Sequence, residues 1–170
     1  MPEKPGVLIV DDDKVLASVL QQGLKASAYS CEIALSGDSA LVMIANTPFD
    51  VMVTDIVMPG MDGLELTYKA KQLKPALAVI VMTGFQQEES YDRAVGYGAS
   101  DFIKKPFSIQ ALIERIDRVI RDRRVLAEIR NKQEEVRNIS RDMIASGQDE
   151  ALQRIAQLEE EIIDLRKSIS

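Results

Sequence analysis

Five side chains in this sequence have types and spacing that could do chemistry together: Asp11, Asp12, Asp55, Thr83 and Lys105. Each stands at the end of a short run that reads as a strand, at residues 7–10, 51–54, 78–82 and 101–104. If those runs are strands of one parallel sheet, the five side chains meet in the crevice beyond its carboxyl edge, where such sheets bind ligands. Three crowded carboxylates repel one another and raise their own pKa values. A hard divalent cation with oxygen ligands relieves that repulsion; Mg²⁺ is the natural choice, and Mn²⁺ can replace it. A cation held by acids, with an ammonium and a hydroxyl opposite, is equipment for receiving a phosphoryl group. The positive charges offset those on the phosphoryl oxygens while a carboxylate attacks in line. Taken alone, Asp55 has a blander reading as a cap on the turn that follows it.

The elements that must position these groups are legible from periodicity. Residues 7–10, 51–53 and 78–82 are continuously apolar, as strands buried on both faces require. Residues 30–35 and 101–104 supply two further strands. Between them, 14–28, 38–45, 64–73 and 88–97 carry helical spacing, and Pro48, Pro75 and Gly98 punctuate their ends. Pro59, Gly60 and Gly63 force a turn after Asp55. Five βα units in about 120 residues call for an α/β fold, a doubly wound five-stranded parallel sheet with helices on both faces.

From Ser108, a candidate N-cap, to about Ile144 the sequence is helical with neither Pro nor Gly. Ser146-Gly147 is a candidate break. Beyond it Ile155, Leu158, Ile162, Leu165 and Ile169 alternate spacings of three and four, a heptad seam with Ile at a and Leu at d. That choice favours a parallel two-stranded coiled coil, and Arg154, Glu159, Glu161 and Arg166 supply opposite charges at e and g. The sequence therefore predicts a homodimer through the tail, with a helical hairpin folding back around Gly147 as the alternative. The expected domains are residues 1–122 and a helical, coiled-coil extension over 123–170.

Composition narrows the function classes. The chain has 170 residues, 46% of them hydrophobic and 28% charged, with a formal net charge of -6. An acidic balance argues against direct nucleic-acid binding, which relies on dense Lys and Arg. No apolar run approaches the roughly 20 residues that span a bilayer, so no membrane insertion is expected and the cytoplasm is the default location. Cys31 is the single cysteine and reads as a small buried hydrophobe. The absence of histidine removes His-assisted nucleophiles and any phosphohistidine of the chain's own.

The segments VLIVDDD, VMVTDIVMPGMDG, VIVMTG and GASDFIKKPF resemble the receiver domain of bacterial two-component response regulators, from Val7 to about Ile120. The resemblance implies a flavodoxin-like, CheY-like fold with strand order 2-1-3-4-5, and a signalling module rather than an enzyme. It implies that Asp55 is the phosphoacceptor, phosphorylated by a histidine kinase or a phosphotransfer protein. Asp12 and Asp55 would bind Mg²⁺ directly, Asp11 mostly through water, and the backbone carbonyl of Val57 would complete the protein ligands. Thr83 would bond a phosphoryl oxygen, Lys105 would pair with the phosphoryl charge, and the Lys105-Pro106 bond would be cis. Thr83 and Phe102 match the family's switch positions, and the face of helix 4, strand 5 and helix 5 would carry the signal. Ala28 departs from the Gly that many receivers carry before strand 2.

Other readings stand beside these. Asp13 matches no family role and reads as a turn or helix cap; Phe102 could simply be core; Met58 and Met61 could be core or partner contacts. Val57 and Phe85 are apolar where other receivers carry polar groups, and neither can orient a water, so slow self-dephosphorylation is expected. A haloacid-dehalogenase-type phosphatase would use Asp11-Asp12-Asp13 as its Asp-x-Asp motif but leaves Asp55 without a role. A scaffold with a vestigial receiver is a third reading. A fourth is a receiver and linker from a longer regulator with its own output domain.

Overall fold

The computed structural model of the chain describes residues 4–84, 90–142 and 149–169. Five strands alternate with helices in the order β1 (Gly6–Val10), α1 (Lys14–Ala26), β2 (Ser30–Ala34), α2 (Gly37–Asn46), β3 (Val51–Asp55), α3 (Gly63–Leu73), β4 (Ala78–Thr83), α4 (Ser90–Gly96) and β5 (Asp101–Lys104). Two further helices follow, α5 (Ile109–Asp142) and α6 (Asp149–Lys167). The sheet is parallel throughout, in the order β2-β1-β3-β4-β5. The chain divides into two compact units, Met1–Ile120 and Arg121–Ser170.

Continuous apolarity in the central strands has the expected cause. In β1, Val7 and Ile9 face one layer with Leu20 and Leu24 of α1 and Leu112 and Ile116 of α5. Leu8 and Val10 face the other layer, with Ile44 of α2, Leu66 of α3 and Ala94 of α4. Because side chains alternate across the sheet, both faces of a strand covered by helices must be apolar. Each fully buried Leu or Ile contributes about 1.5–3 kcal/mol.

The helix starts are fixed by short polar side chains. Asp13 caps α1, its carboxylate accepting from the N–H groups of Val15 and Leu16 at 3.0 and 3.1 Å, and Ser36 caps α2 by accepting from Ser39 N–H. Ser108 accepts from Ala111 N–H at 3.1 Å at the start of α5. The helix expected over 14–28 instead ends at Ala26, because Ala28 takes the left-handed region at φ 67° and reverses the chain. Leu35 falls outside β2 and is exposed. The N-terminal part of the expected helix 88–97, and the candidate break at Ser146-Gly147, lie outside the described residues.

In the second unit α6 folds back on the distal part of α5 as an antiparallel hairpin. Lys132 bonds Glu161 at 2.5 Å and Arg154 bonds Glu135 at 2.9 Å, so position increases along one helix as it decreases along the other. Ile129, Leu158 and Ile162 are buried, and Ile155, Leu165 and Ile169 are half-buried on the same seam. This corrects the preference for a parallel coil. Leu158 and Ile162 at the centre of the seam are covered within the chain, and charges that could have served g positions of a parallel pair, Arg154 and Glu161, close the side of the hairpin.

Cys31 is 3% exposed in β2, and burial pushes its thiol up to about 11. A buried thiol is the more stable form in the fold, so alkylation of native protein should stay slow through about pH 9, where an unfolded thiol is already ionising. Mass-spectrometric rates with iodoacetamide check this; a native rate that reaches its plateau below about pH 9 contradicts it.

Candidate functional site

Sheet order alone brings the acids together. β1 and β3 are neighbours with Val10 opposite Thr54, so Asp11 and Asp55 emerge side by side from the carboxyl edge. Asp11 is 1% exposed and Asp12 is exposed on the rim. Asp11, Asp12 and Asp55 can bring one oxygen each to within 4.8 Å of one another. Three hard, anionic oxygens at that spacing fit a divalent cation of the Mg²⁺ type better than a soft-ligand metal.

Lys105 supplies the opposing charge. It follows β5, is tied to the neighbouring strand by its N–H bond to Thr83 C=O at 2.8 Å, and precedes a cis peptide to Pro106. Its Nζ lies 3.3 Å from Asp55 Oδ2 and 3.4 Å from Asp11 Oδ2. The other Asp11 oxygen accepts from Asp13 N–H at 2.9 Å, and Asp55 Oδ1 accepts from Ile56 N–H at 2.9 Å. Burial holds the Asp55 carboxyl above its usual value, and the nearby Asp11 charge adds to the rise. Lys105 and the Ile56 N–H pull in the other direction.

Thr83 ends β4 at the same edge and is 9% exposed. Phe102 belongs to the core layer of α2, α3 and α4, with the Tyr91 ring of α4 at 3.9 Å centroid to centroid. The Val57 side chain is 64% exposed beside Asp55. Met58 is core, while Met61 packs against Gly37 at the start of α2. Phe85 lies outside the described residues.

The loop after Asp55 is held by Gly60 and Gly63, the glycines of the expected turn, and by Asp62, whose capping signal is also present in the sequence. Asp62 caps α3, accepting from Leu64 and Glu65 N–H at 2.9 and 2.8 Å, and the run Asp62-Gly63-Leu64-Glu65 has the spacing of a capping box. Gly60 turns the loop at φ 75°. Gly63 N–H bonds Ile56 C=O at 2.8 Å, drawing the chain so close that a Cβ at 63 would lie 1.9 Å from Asp55 O. Tyr91 over Phe102 had no sequence signal, since nothing local pairs residues eleven apart on different elements.

Residues 7–117 match the response regulator receiver domain family. Over 164 residues the chain is 32% identical to the C4-dicarboxylate transport transcriptional regulatory protein DctD of Rhizobium meliloti (strain 1021), covering 96% of this chain and 36% of that one. Over 112 residues it is 39% identical to the DNA-binding transcriptional regulator NtrC of Klebsiella pneumoniae, covering 66% of this chain and 24% of that one. The chain thus spans about a third of DctD and a quarter of NtrC. Among solved structures, the response regulator receiver domain protein (CheY-like) from Methanospirillum hungatei JF-1 superposes with a TM-score of 0.69 at 32% identity, covering 71% of this chain and 97% of that one.

Since a methyl at position 63 has backbone on every near side, Gly63→Ala should cost about 1–3 kcal/mol and displace the β3–α3 loop. Urea denaturation measures the loss, and a variant as stable as the parent would contradict the close approach.

Proposed function

The chain belongs to the response regulator receiver domain family, and from that premise we propose that Asp55 accepts a phosphoryl group from the phosphohistidine of a histidine kinase or phosphotransfer protein. Receiver domains of this family are signalling modules of two-component systems. The observation that carries the proposal is the Lys105 ammonium, 3.3 Å from Asp55 and 3.4 Å from Asp11, inside a cluster of three carboxylates. The module, residues 1–122 with an extension over 123–170, acts in the cytoplasm on no substrate but its own acyl phosphate.

Asp11, Asp12, Asp55 and the Val57 carbonyl would hold Mg²⁺, and the ion would supply positive charge to offset the negative charge on the phosphoryl oxygens. An Asp55 oxygen attacks phosphorus as the P–N bond of the donor breaks, and the departing imidazole keeps the bonding electron pair and takes a proton. Lys105 then follows the negative charge from the Asp55 carboxylate to the phosphoryl oxygens. The Thr83 hydroxyl donates to one of those oxygens. That draws Thr83 inward and changes the space available to Phe102, which has no hydroxyl and responds by packing alone. The change reaches the face of α4, β5 and α5, and α5 carries it toward the tail and its self-association.

A second reading has an observation in its favour. The alignment with DctD runs through the tail as well as the receiver, which suits a linker leading to an output domain. In that case the same relay ends on that domain.

Asp55→Asn should abolish phosphate incorporation from acetyl phosphate with Mg²⁺, and chelation of the metal should do the same to the parent. Phosphate-affinity electrophoresis reads both. A phosphatase using Asp11 as nucleophile would keep its activity in that variant. Because the apolar Val57 cannot orient an attacking water, the phosphoaspartate should be long-lived, and Val57→Asn should shorten its lifetime about tenfold. A parent lifetime of only seconds is the contrary result.

A further inference from the structure

The hairpin of the second unit has two unlike sides. On one side its charges are satisfied within the chain, where Lys132 meets Glu128 and Glu161, and Glu135 meets Arg154. On the other side a groove of about 530 Å³ runs between the helices, with Val136, Ile162 and Ile163 on its walls. Ile163 is 52% exposed, and Leu126 and Leu152 are exposed to a similar degree. Only Ile129, Leu158 and Ile162 are buried among the described residues of this unit. Three residues make a small core for two helices of this length, since helical layers are stabilised by burying an apolar stripe against another layer.

Charge says what covers the open side. Arg137, Glu159 and Arg166 are the charged residues lining the groove; Arg166 is engaged elsewhere, whereas Arg137 and Glu159 have no ion-pair or hydrogen-bond partner among the described residues. Of these two, one is basic, one acidic, and they stand on different helices of the same face. In a two-fold contact a residue that meets a second residue of the other copy is repeated by symmetry. In such a contact Arg137 of one copy would meet Glu159 of the other, giving two equivalent pairs flanking Val136 and Ile163. A purely anionic partner would match Arg137 and be repelled by Glu159. The unit as a whole carries ten basic and eleven acidic residues from 121 onward, so its net charge is only -1 and two such units meet little net repulsion.

We propose that the Val136–Ile163 side of the α5–α6 hairpin docks on the same side of a second copy of this chain, giving a four-helix bundle from two hairpins. This deepens the reading above, because it assigns the tail's self-association to a named surface and replaces the parallel coil with paired hairpins. The heptad seam stays inside each hairpin, and the dimer contact uses the neighbouring stripe.

Sedimentation of the full chain over a range of concentrations tests this. The parent should dimerise, and Ile163→Asp should weaken the dimer about thirtyfold or more, as for a central apolar contact. Helix content by circular dichroism should be kept, because the side chain is half exposed. Glu159→Arg should also weaken it by opposing Arg137, and the double variant Glu159→Arg, Arg137→Glu should restore it. Gln153→Glu, on the outward side of α6, serves as the control and should leave dimerisation unchanged. A monomeric parent up to about 100 µM overturns the proposal. So does a dimer indifferent to Ile163→Asp and Glu159→Arg, or one that the charge swap fails to restore. Phosphate incorporation measured on the same samples separates the two readings: a chain that is phosphorylated but monomeric refutes only the docking surface, and a dimer that takes no phosphate refutes only the receiver mechanism.

Discussion

Two carboxylates, Asp11 and Asp55, stand at the ends of adjacent strands and share one ammonium, that of Lys105. Asp11 is almost fully buried, and a buried charge stripped of its partner costs about 3–5 kcal/mol. Lys105 comes from the far edge of the sheet, after β5, and reaches across the end of β4. The geometry of the site therefore depends on the whole strand order β1-β3-β4-β5, and no local segment could assemble it. The same interaction makes the site responsive. An ammonium held by two acids can shift toward any new negative charge placed on one of them.

The loops serve that constraint. Asp62 and Gly63 bring the chain back onto the Asp55 backbone, which fixes where the carboxylate points. The N–H of Ile56 holds one Asp55 oxygen, leaving the other toward Lys105. Thr83 is positioned through its carbonyl, which accepts from the Lys105 N–H, so the hydroxyl and the ammonium are registered by one backbone bond. On the other side of β5, buried Asp101 takes Arg115 and Arg118 of α5. Tyr29 is bonded to Asp117 on the same helix. These contacts root the proximal part of α5 in the first unit.

The fold and the acid cluster were legible because both depend on patterns that survive in one dimension. Strands buried on both faces must be continuously apolar, and parallel strands must all end at the same edge. Each of Asp11, Asp55, Thr83 and Lys105 closing a run therefore implied a shared crevice. What was not legible depends on partners chosen in three dimensions. Ala28 stops α1 by adopting a left-handed conformation that its residue type disfavours. Tyr91 meets Phe102 through the packing of α4 on the sheet, which no spacing rule encodes. The Asp62 cap is encoded in the spacing Asp62-Gly63-Leu64-Glu65, but the Gly/Pro signal around it accounts for the same turn without it.

The tail shows a sharper limit of periodicity. A heptad seam says which face of a helix is buried and is silent on what buries it. Ile155, Leu158, Ile162, Leu165 and Ile169 would serve a parallel partner and a folded-back one equally well. The discriminating information lies off the seam, in whether charges find complements at rising or at falling positions. Lys132 with Glu161 and Glu135 with Arg154 fall in the second pattern, and they link helices that no heptad register compares. Arg137 and Glu159 form no ion pair among the described residues, so the rule that identified the hairpin also marks the side it leaves open. For a short seam flanked by mixed charge, the sign pattern on the adjoining stripes carries more about assembly than the choice of Ile and Leu at a and d.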